Sequence, residues 1–413
     1  MKEKFNHYVQ DLETYIMFYI KETVAKITPE LEAKNRAPIA LSMGAPTAPP
    51  PQFAIDKLRE ALEEEGIHTY STPKGEKYFR NAVKARMKRR FNVDLDAETE
   101  IWSLIGSKEG IANFIRILIN PRMDDKNKDI IMIPDPGYAS YKEMIKVSGG
   151  LAYSLPLTKE NNYMPDLEEI RAGMAKDGFN PEKLKGIILN YPNNPLGCTM
   201  TKKYAKSAVD FCKKYNLVLI SDIAYADMYF NEEDKPFSIF EIEGAKDCSV
   251  EFFSFSKPYA MTGWRLGWIC GNSGLVGMFG KLKSTLDTGL FKAIQKAGAE
   301  TLISEEGDEY IAQKNIGFKR KQQIFVKGLK ELGWGDFNVP DATFYLWLPI
   351  PPRYKTSKEF TDDLMKTSGI VAVPGSGFGK YGEGFFRVSL VSSDEKLQEC
   401  IDRMKADGFY FNK

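Results

Sequence analysis

Apolar positions along this chain fall into two kinds of pattern. Short continuous runs occur at residues 101–105, 129–133, 186–189 and 217–220, and a fifth, interrupted by Ser254, at 252–255. Such runs are too short for helices and lack strict polar alternation, so they predict strands buried on both faces of a parallel sheet. Between them lie helical patterns, at 53–65, 76–91, 111–119 and, broken near Gly289, 279–302. The alternation predicts an α/β fold, a doubly wound and mostly parallel sheet forming a large domain over residues 51–295. The tail carries helical patterns at 310–332, 358–367 and 394–407 and strand patterns at 342–348 and 385–390. With residues 1–50 it predicts a smaller α+β domain from both chain ends. Residues 1–38 read as helical, with Leu12, Tyr15, Ile16 and Tyr19 on one face. The proline-rich stretch 42–51 reads as an extended connector, or at Gly44 as a place where backbone approaches a ligand. The basic run 76–91 reads as a solvated helix face.

Composition narrows the function classes. The chain has 413 residues and a net charge of +1, which gives no general attraction to nucleic acid or to an anionic membrane. Small molecules are the expected partners. Two histidines, His7 and His68, leave little room for a histidine triad or a multi-histidine metal site. The five cysteines are widely spaced with no C-x-x-C pair, so no metal site is expected and a reducing, cytoplasmic location is. The N-terminal apolar stretch at 15–20 is too short to span a bilayer, and no signal peptide is read there.

The candidate chemistry lies just beyond the strand ends, where open parallel sheets bind ligands. Ser107, Tyr138, Asn194, Asp222 with Tyr225, and Lys257 arrive there in order. A lysine at the mouth of an apolar strand is desolvated, which favours its neutral, nucleophilic form. Ser254, Ser256 and Arg265 add hydroxyls and a fixed cation, and the strand–turn–helix at Gly106-Ser-Lys-Glu-Gly110 is an anion site in prospect. Taken singly, each has an ordinary reading: a surface lysine, a helix-capping Asp, an Asn-Pro turn, a packed tyrosine. Taken together they meet the needs of pyridoxal 5'-phosphate, a flat phosphorylated aldehyde whose protonated ring is an electron sink. Gly377-Phe-Gly379-Lys-Tyr-Gly382 matches the dinucleotide fingerprint G-x-G-x-x-G, but a strand follows it instead of a helix.

The ordered set resembles the fold type I pyridoxal-phosphate enzymes, specifically the class I/II aminotransferases of the aspartate aminotransferase superfamily. It comprises Gly44-x-Pro46, Tyr70-x4-Gly75, Gly106-Ser-Lys-Glu-Gly110, Pro136-Gly-Tyr138, Asn193-Asn-Pro-Leu-Gly197, Asp222-x-x-Tyr225, Ser254-Phe-Ser-Lys257-x7-Arg265 and Phe386-Arg387-Val-Ser. The resemblance implies that Lys257 carries the cofactor as an imine and shuttles the proton of a ping-pong transamination between an L-amino acid and a 2-oxo acid. It implies that Asp222 pairs with the ring nitrogen, Tyr225 and Asn194 contact the ring oxygen, and Tyr138 stacks on the ring. Ser254, Arg265 and the Ser107-Lys108 backbone would hold the phosphate. Tyr70 would reach across from a second subunit of a homodimer, and Arg387 would grip the substrate carboxylate beside Gly44 and Asn194. The absence of arginine between Arg265 and Arg320 weighs against an aspartate-type donor. LL-diaminopimelate and broad-range amino acids are the donors then expected. A C–S lyase on the same cofactor, and a non-catalytic regulator keeping the fold, are the rival readings.

Overall fold

Successive residues of a strand point to opposite faces of its sheet, and here both faces are apolar, so helices must cover both. In the computed structural model, which describes residues 4–12, 16–122, 124 and 127–412, they do. Tyr15, expected on the N-terminal apolar face, lies outside the described residues.

The main sheet has seven strands: β1 (Ile101–Leu104), β2 (Ile130–Asp135), β3 (Leu151–Pro156), β4 (Leu184–Asn190), β5 (Val218–Asp222), β6 (Ser249–Ser254) and β7 (Gly267–Gly271). Their spatial order is β1-β7-β6-β5-β4-β2-β3, and only β7 runs against its neighbours. Ile131, Ile188, Ile220 and Phe252 pack on one face against Phe114, Tyr141 and Phe279. Met132, Ile187 and Leu219 pack on the other against Ala205, Val209 and Cys212 of the helix Lys202–Lys214. This is the expected doubly wound, mostly parallel sheet. β3 and β7 go beyond the sequence pattern. β3 is a half-buried edge strand, and β7 is a short strand bounded by glycines.

A second, three-stranded antiparallel sheet joins Val373–Pro374, Phe385–Ser389 and Tyr345–Pro349. Its middle strand starts nearer the expected place than its partner, whose first regular residue is Tyr345. Ala342 makes only an isolated bridge to Tyr229, and Thr343 takes left-handed backbone at φ 68°. Ile39–Ala40 pairs in parallel with Ile370–Val371, which brings the N-terminal segment into a core with Leu346, Phe386 and Leu397. No helix among the described residues is long and apolar enough to cross a membrane.

The basic helix Lys77–Phe91 departs from the solvated face expected of it. Arg80 and Arg86 are buried alongside Phe79, Val83 and Met87. Arg86 pairs with Asp227 at 3.1 Å and also with Asp308, and Arg90 reaches Asp227 at 3.0 Å. The carboxylates come from distant segments, so the helix's own sequence could not reveal them. Burial pushes Asp227 up, but Arg86 and Arg90 outweigh it and hold the carboxyl below its ordinary 3.8. A depressed carboxyl contributes stability above its unfolded value and loses it as pH falls through the folded one. Asp227→Asn strips buried guanidiniums of a partner and is expected to cost about 3–5 kcal/mol in a urea titration at neutral pH. A loss under about 1 kcal/mol would mean the cluster behaves as a surface bridge.

Candidate active site

Because β1, β2, β4, β5 and β6 share one direction, their carboxyl ends emerge at one edge of the sheet. A cavity of about 340 Å³ opens there. A larger hollow of about 690 Å³ around Arg89, Thr201 and Lys235 holds none of the expected site residues.

One end of the cavity suits an anion. Gly106, at φ 84°, turns the chain from β1 into the helix Ser107–Leu118, which begins four residues before the apolar pattern suggests it (107 against 111). The Glu109 carboxylate accepts from the Ile105 amide at 3.2 Å and steadies this early start. Gly106 supplies no side-chain cap, so the dipole and first-turn amides at Ser107 and Lys108 point outward. Arg265 lies over this turn, donating to the Ile105 carbonyl at 3.1 Å and to Thr262 at 2.9 Å. A Cβ on residue 106 would fall 2.3 Å from its Nη2, so only glycine leaves room for the guanidinium. Ser254 Oγ accepts from the Ser256 amide at 3.1 Å, and both serines line the cavity.

The middle holds the titratable groups. Asp222 is buried at the end of β5, accepts from the Tyr141 hydroxyl, and is in no salt bridge among the described residues. Burial lifts its carboxyl to about 6, against the pull of Tyr141, the Ala224 amide and Lys257. Lys257 donates to the Gly44 carbonyl. Burial, then Arg387 and Arg265, lower its amine to about 8, while Asp222 opposes them. Tyr225 is pushed well above 10, first by burial, and its hydroxyl lies 2.9 Å from that of Tyr345. It therefore stays protonated at neutral pH. Tyr138 lines the same space and packs edge-on against Tyr141 with ring centroids 5.4 Å apart.

The far end suits a carboxylate. Arg387 is 4% exposed, between the rings of Tyr345 and Phe378 at 4.3 and 4.8 Å. Its Nη1 donates to Asn194 Oδ1 at 2.8 Å and its Nη2 to the Ser42 carbonyl at 2.9 Å. Its buried Nε has no partner among the described residues. Gly44 faces this end, where a Cβ would stand 3.1 Å from the Tyr345 hydroxyl.

Eleven expected residues thus meet in one cavity: Gly44, Ser107, Lys108, Tyr138, Asn194, Asp222, Tyr225, Ser254, Lys257, Arg265 and Arg387. Tyr70 does not join them and is 86% exposed. Three neighbours escaped the sequence reading. Tyr141 stands one helical turn beyond Tyr138. Asn190 donates to the Asp222 carbonyl at 2.9 Å and accepts from the Asn194 amide at 3.0 Å. Tyr345 comes from the second sheet, and no local spacing announces it. Of the G-x-G-x-x-G stretch, Gly377 lines this same cavity, whereas Gly379 serves packing, since a Cβ there would meet the Asp135 carboxylate at 2.1 Å.

Residues 36–404 match the model of the family described as aminotransferase class I and II. The chain belongs to that family. The enzyme is 43% identical to the LL-diaminopimelate aminotransferase of Aquifex aeolicus over 89% of this chain and 90% of that one. It is 37% identical to the enzyme of the same name from Nitratidesulfovibrio vulgaris, over 94% and 95% of the two chains. Among solved structures, apo-BacF of Bacillus subtilis superposes with a TM-score of 0.90 at 31% identity, covering 99% of each chain. An aspartate aminotransferase variant of Thermus thermophilus, at 22% identity and TM-score 0.86 over 98% and 99% of the two chains, shares the fold.

The enzyme is an aminotransferase dependent on pyridoxal 5'-phosphate, and its cavity fits that group. A buried carboxylate without a cationic partner matches a protonated ring nitrogen. An amine lowered to about 8 matches the aldehyde carbon. The guanidinium and helix N-terminus match the phosphate. No cluster of metal-binding side chains occurs among the described residues.

Proposed function

We propose that this aminotransferase takes LL-diaminopimelate as amino donor, with Lys257 as the amine that holds the cofactor and carries the proton. The names of the curated relatives described above carry the choice of donor, over nearly the full length of both chains. The arginine-free stretch between Arg265 and Arg320 agrees with it, because an aspartate-type donor is thereby disfavoured.

The cofactor, when bound, supplies an electron sink that acidifies the α-proton of an attached amino acid. This chain's side chains do the rest. Ser107, Lys108, Ser254 and Arg265 hold the phosphate. Asp222 would face the ring nitrogen, where an opposing ring cation would favour its ionised form and it would favour the protonated ring. Tyr141 and Asn190 steady Asp222, while Tyr225 donates its hydroxyl to the ring oxygen. Asn194 spends Oδ1 on Arg387, which leaves Nδ2 to face the same oxygen. Tyr138 covers the ring. Arg387, with Gly44 and Asn194 beside it, orients the substrate carboxylate so that its Cα–H points at Lys257 Nζ. Lys257 Nζ would take the proton from the substrate Cα as general base and would carry it as general acid.

We also infer a cytoplasmic homodimer of chains, each with a domain at residues 51–295 and a second at 1–50 with 296–413. Exposed Tyr70, Leu286 and Phe291 support the dimer, with Tyr70 reaching a neighbouring cavity. Five free cysteines support a reducing compartment.

The test is a donor screen of the holoenzyme against 2-oxoglutarate. LL-diaminopimelate is expected to exceed aspartate, alanine, methionine and phenylalanine in kcat/KM by about tenfold or more. A faster turnover of any of the others would overturn the assignment of donor while leaving the family untouched.

A further inference from the structure

Lys314 sits on the helix Glu305–Glu331, far from the motif that carries Lys257, yet its Nζ donates to the backbone carbonyls of both Lys257 and Pro258. Those carbonyls need a donor. The chain leaves β6 in a tight turn, with the Tyr259 amide returning to the Phe255 carbonyl at 3.2 Å. Ala260 then takes left-handed backbone at φ 53°, so the turn does not continue as a helix. Among the described residues no backbone amide reaches either carbonyl.

The surroundings of Lys314 are unusual for a structural lysine. Asp227, Lys257 and the Tyr310 ring, 5.5 Å away, face its amine. Asp227 is already shared between Arg86 and Arg90, and Lys314 makes no salt bridge of its own among the described residues. Burial pushes its amine to about 7, with Asp227 pulling against this and Lys257 adding to it. Enclosing an amine without its own counter-ion costs the fold more than a neutral side chain would. A long side chain that caps two carbonyls at once does something here that a short neutral one could not reach to do.

We propose that Lys314 is a positioning residue for Lys257. By clamping the two carbonyls on either side of the Lys257–Pro258 bond, it sets the direction in which the Lys257 side chain leaves the turn. Nζ is thereby aimed at the Gly44 carbonyl and not at solvent. The aim matters once the substrate has displaced that amine, because a proton acceptor misplaced by about 1 Å loses roughly 10²-fold in rate. This inference rests on Lys257 being the reacting amine.

Lys314→Met keeps the aliphatic stem and removes the donors. The holoenzyme is first reduced with borohydride and the trapped cofactor located by mass spectrometry. Trapping anywhere but Lys257 would end the underlying reading and this proposal with it. With Lys257 confirmed, the apo-enzyme is labelled competitively with acetic anhydride across pH and the Lys257 peptide quantified. A loosened turn lets the Lys257 ammonium reach water, and loss of the like charge at Lys314 acts in the same direction, so its half-labelling pH is expected to rise by about one unit. The holoenzyme's kcat is expected to fall about 30-fold, with KM for the amino donor changed less than about threefold. Lys314→Arg, which keeps a long cationic donor, is expected to return the midpoint towards wild type. An unchanged Lys257 midpoint in K314M overturns the proposal even if thermal stability or turnover falls, since Lys314 would then only brace the fold. Should K314M not fold, Lys314→Gln is read by the same midpoint.

Discussion

Lys257→Ala is expected to leave the holoenzyme with about one ten-thousandth of wild-type turnover or less. The change removes two functions at one atom. A positioned general base contributes about 10²–10⁴-fold, and loss of the covalent attachment to the cofactor adds to this. The neighbouring amines are otherwise placed: Lys314 is engaged with two carbonyls, and Lys108 lies over the Tyr138 ring, 5.9 Å from its centroid. The absorbance band of lysine-bound cofactor should vanish, while a small primary amine such as methylamine, filling the space left, should restore part of the rate. Stability should move the other way. An amine lowered to about 8 by the fold makes its charge unfavourable in the folded state below that pH. The apo form of the alanine variant is therefore expected to be no less stable than apo wild type at neutral pH. Turnover near wild type would refute the role given to Lys257, and a large loss of stability would mean that the fall in rate reports misfolding.

Much of this arrangement is legible in the sequence because a sheet buried on both faces writes itself as continuous apolar runs. The residues just beyond those runs share an edge by topology alone. Hence Ser107, Tyr138, Asn194, Asp222 and Lys257 can be named without coordinates, and the structure gathers them into one cavity. Local physics accounts for one error of boundary: Glu109 caps the Ile105 amide, so the helix starts at Ser107 and its first amides belong to the anion site. What stayed hidden was tertiary. The arginines of Lys77–Phe91 look solvated until Asp227 and Asp308 are brought to them. Tyr345, on the second sheet, meets Tyr225 in the turn after β5, and Lys314 meets Lys257 from a helix late in the chain. No spacing rule joins such residues, since their contact is a property of packing and not of either segment.

Arg387→Leu is expected to lower kcat/KM for α-amino acids by about 10²–10³-fold, mainly through KM. Truncating one side of a buried, hydrogen-bonded charge pair costs about 2–5 kcal/mol, and here the partner left unpaired is the substrate's carboxylate. Leucine can occupy the slot between Tyr345 and Phe378, and it leaves the Asn194 and Ser42 acceptors unmet. Lysine at 387 should rescue poorly, because a point charge cannot reproduce two parallel N–H donors while also serving Asn194. A second effect separates this side chain from a mere wall of the pocket. Arg387 is one of the charges that lower the Lys257 amine to about 8, so its removal should move that amine upward and, because a general base works in its neutral form, shift the acidic limb of the pH profile to higher pH. Both effects are checked together by comparing an amino acid with the alkylamine that lacks its carboxylate. The alkylamine should lose only the part due to the altered Lys257, whereas the amino acid should lose both. Equal losses for the two donors would mean that Arg387 tunes the amine without gripping the carboxylate, and the substrate's orientation would have to come from elsewhere in the cavity.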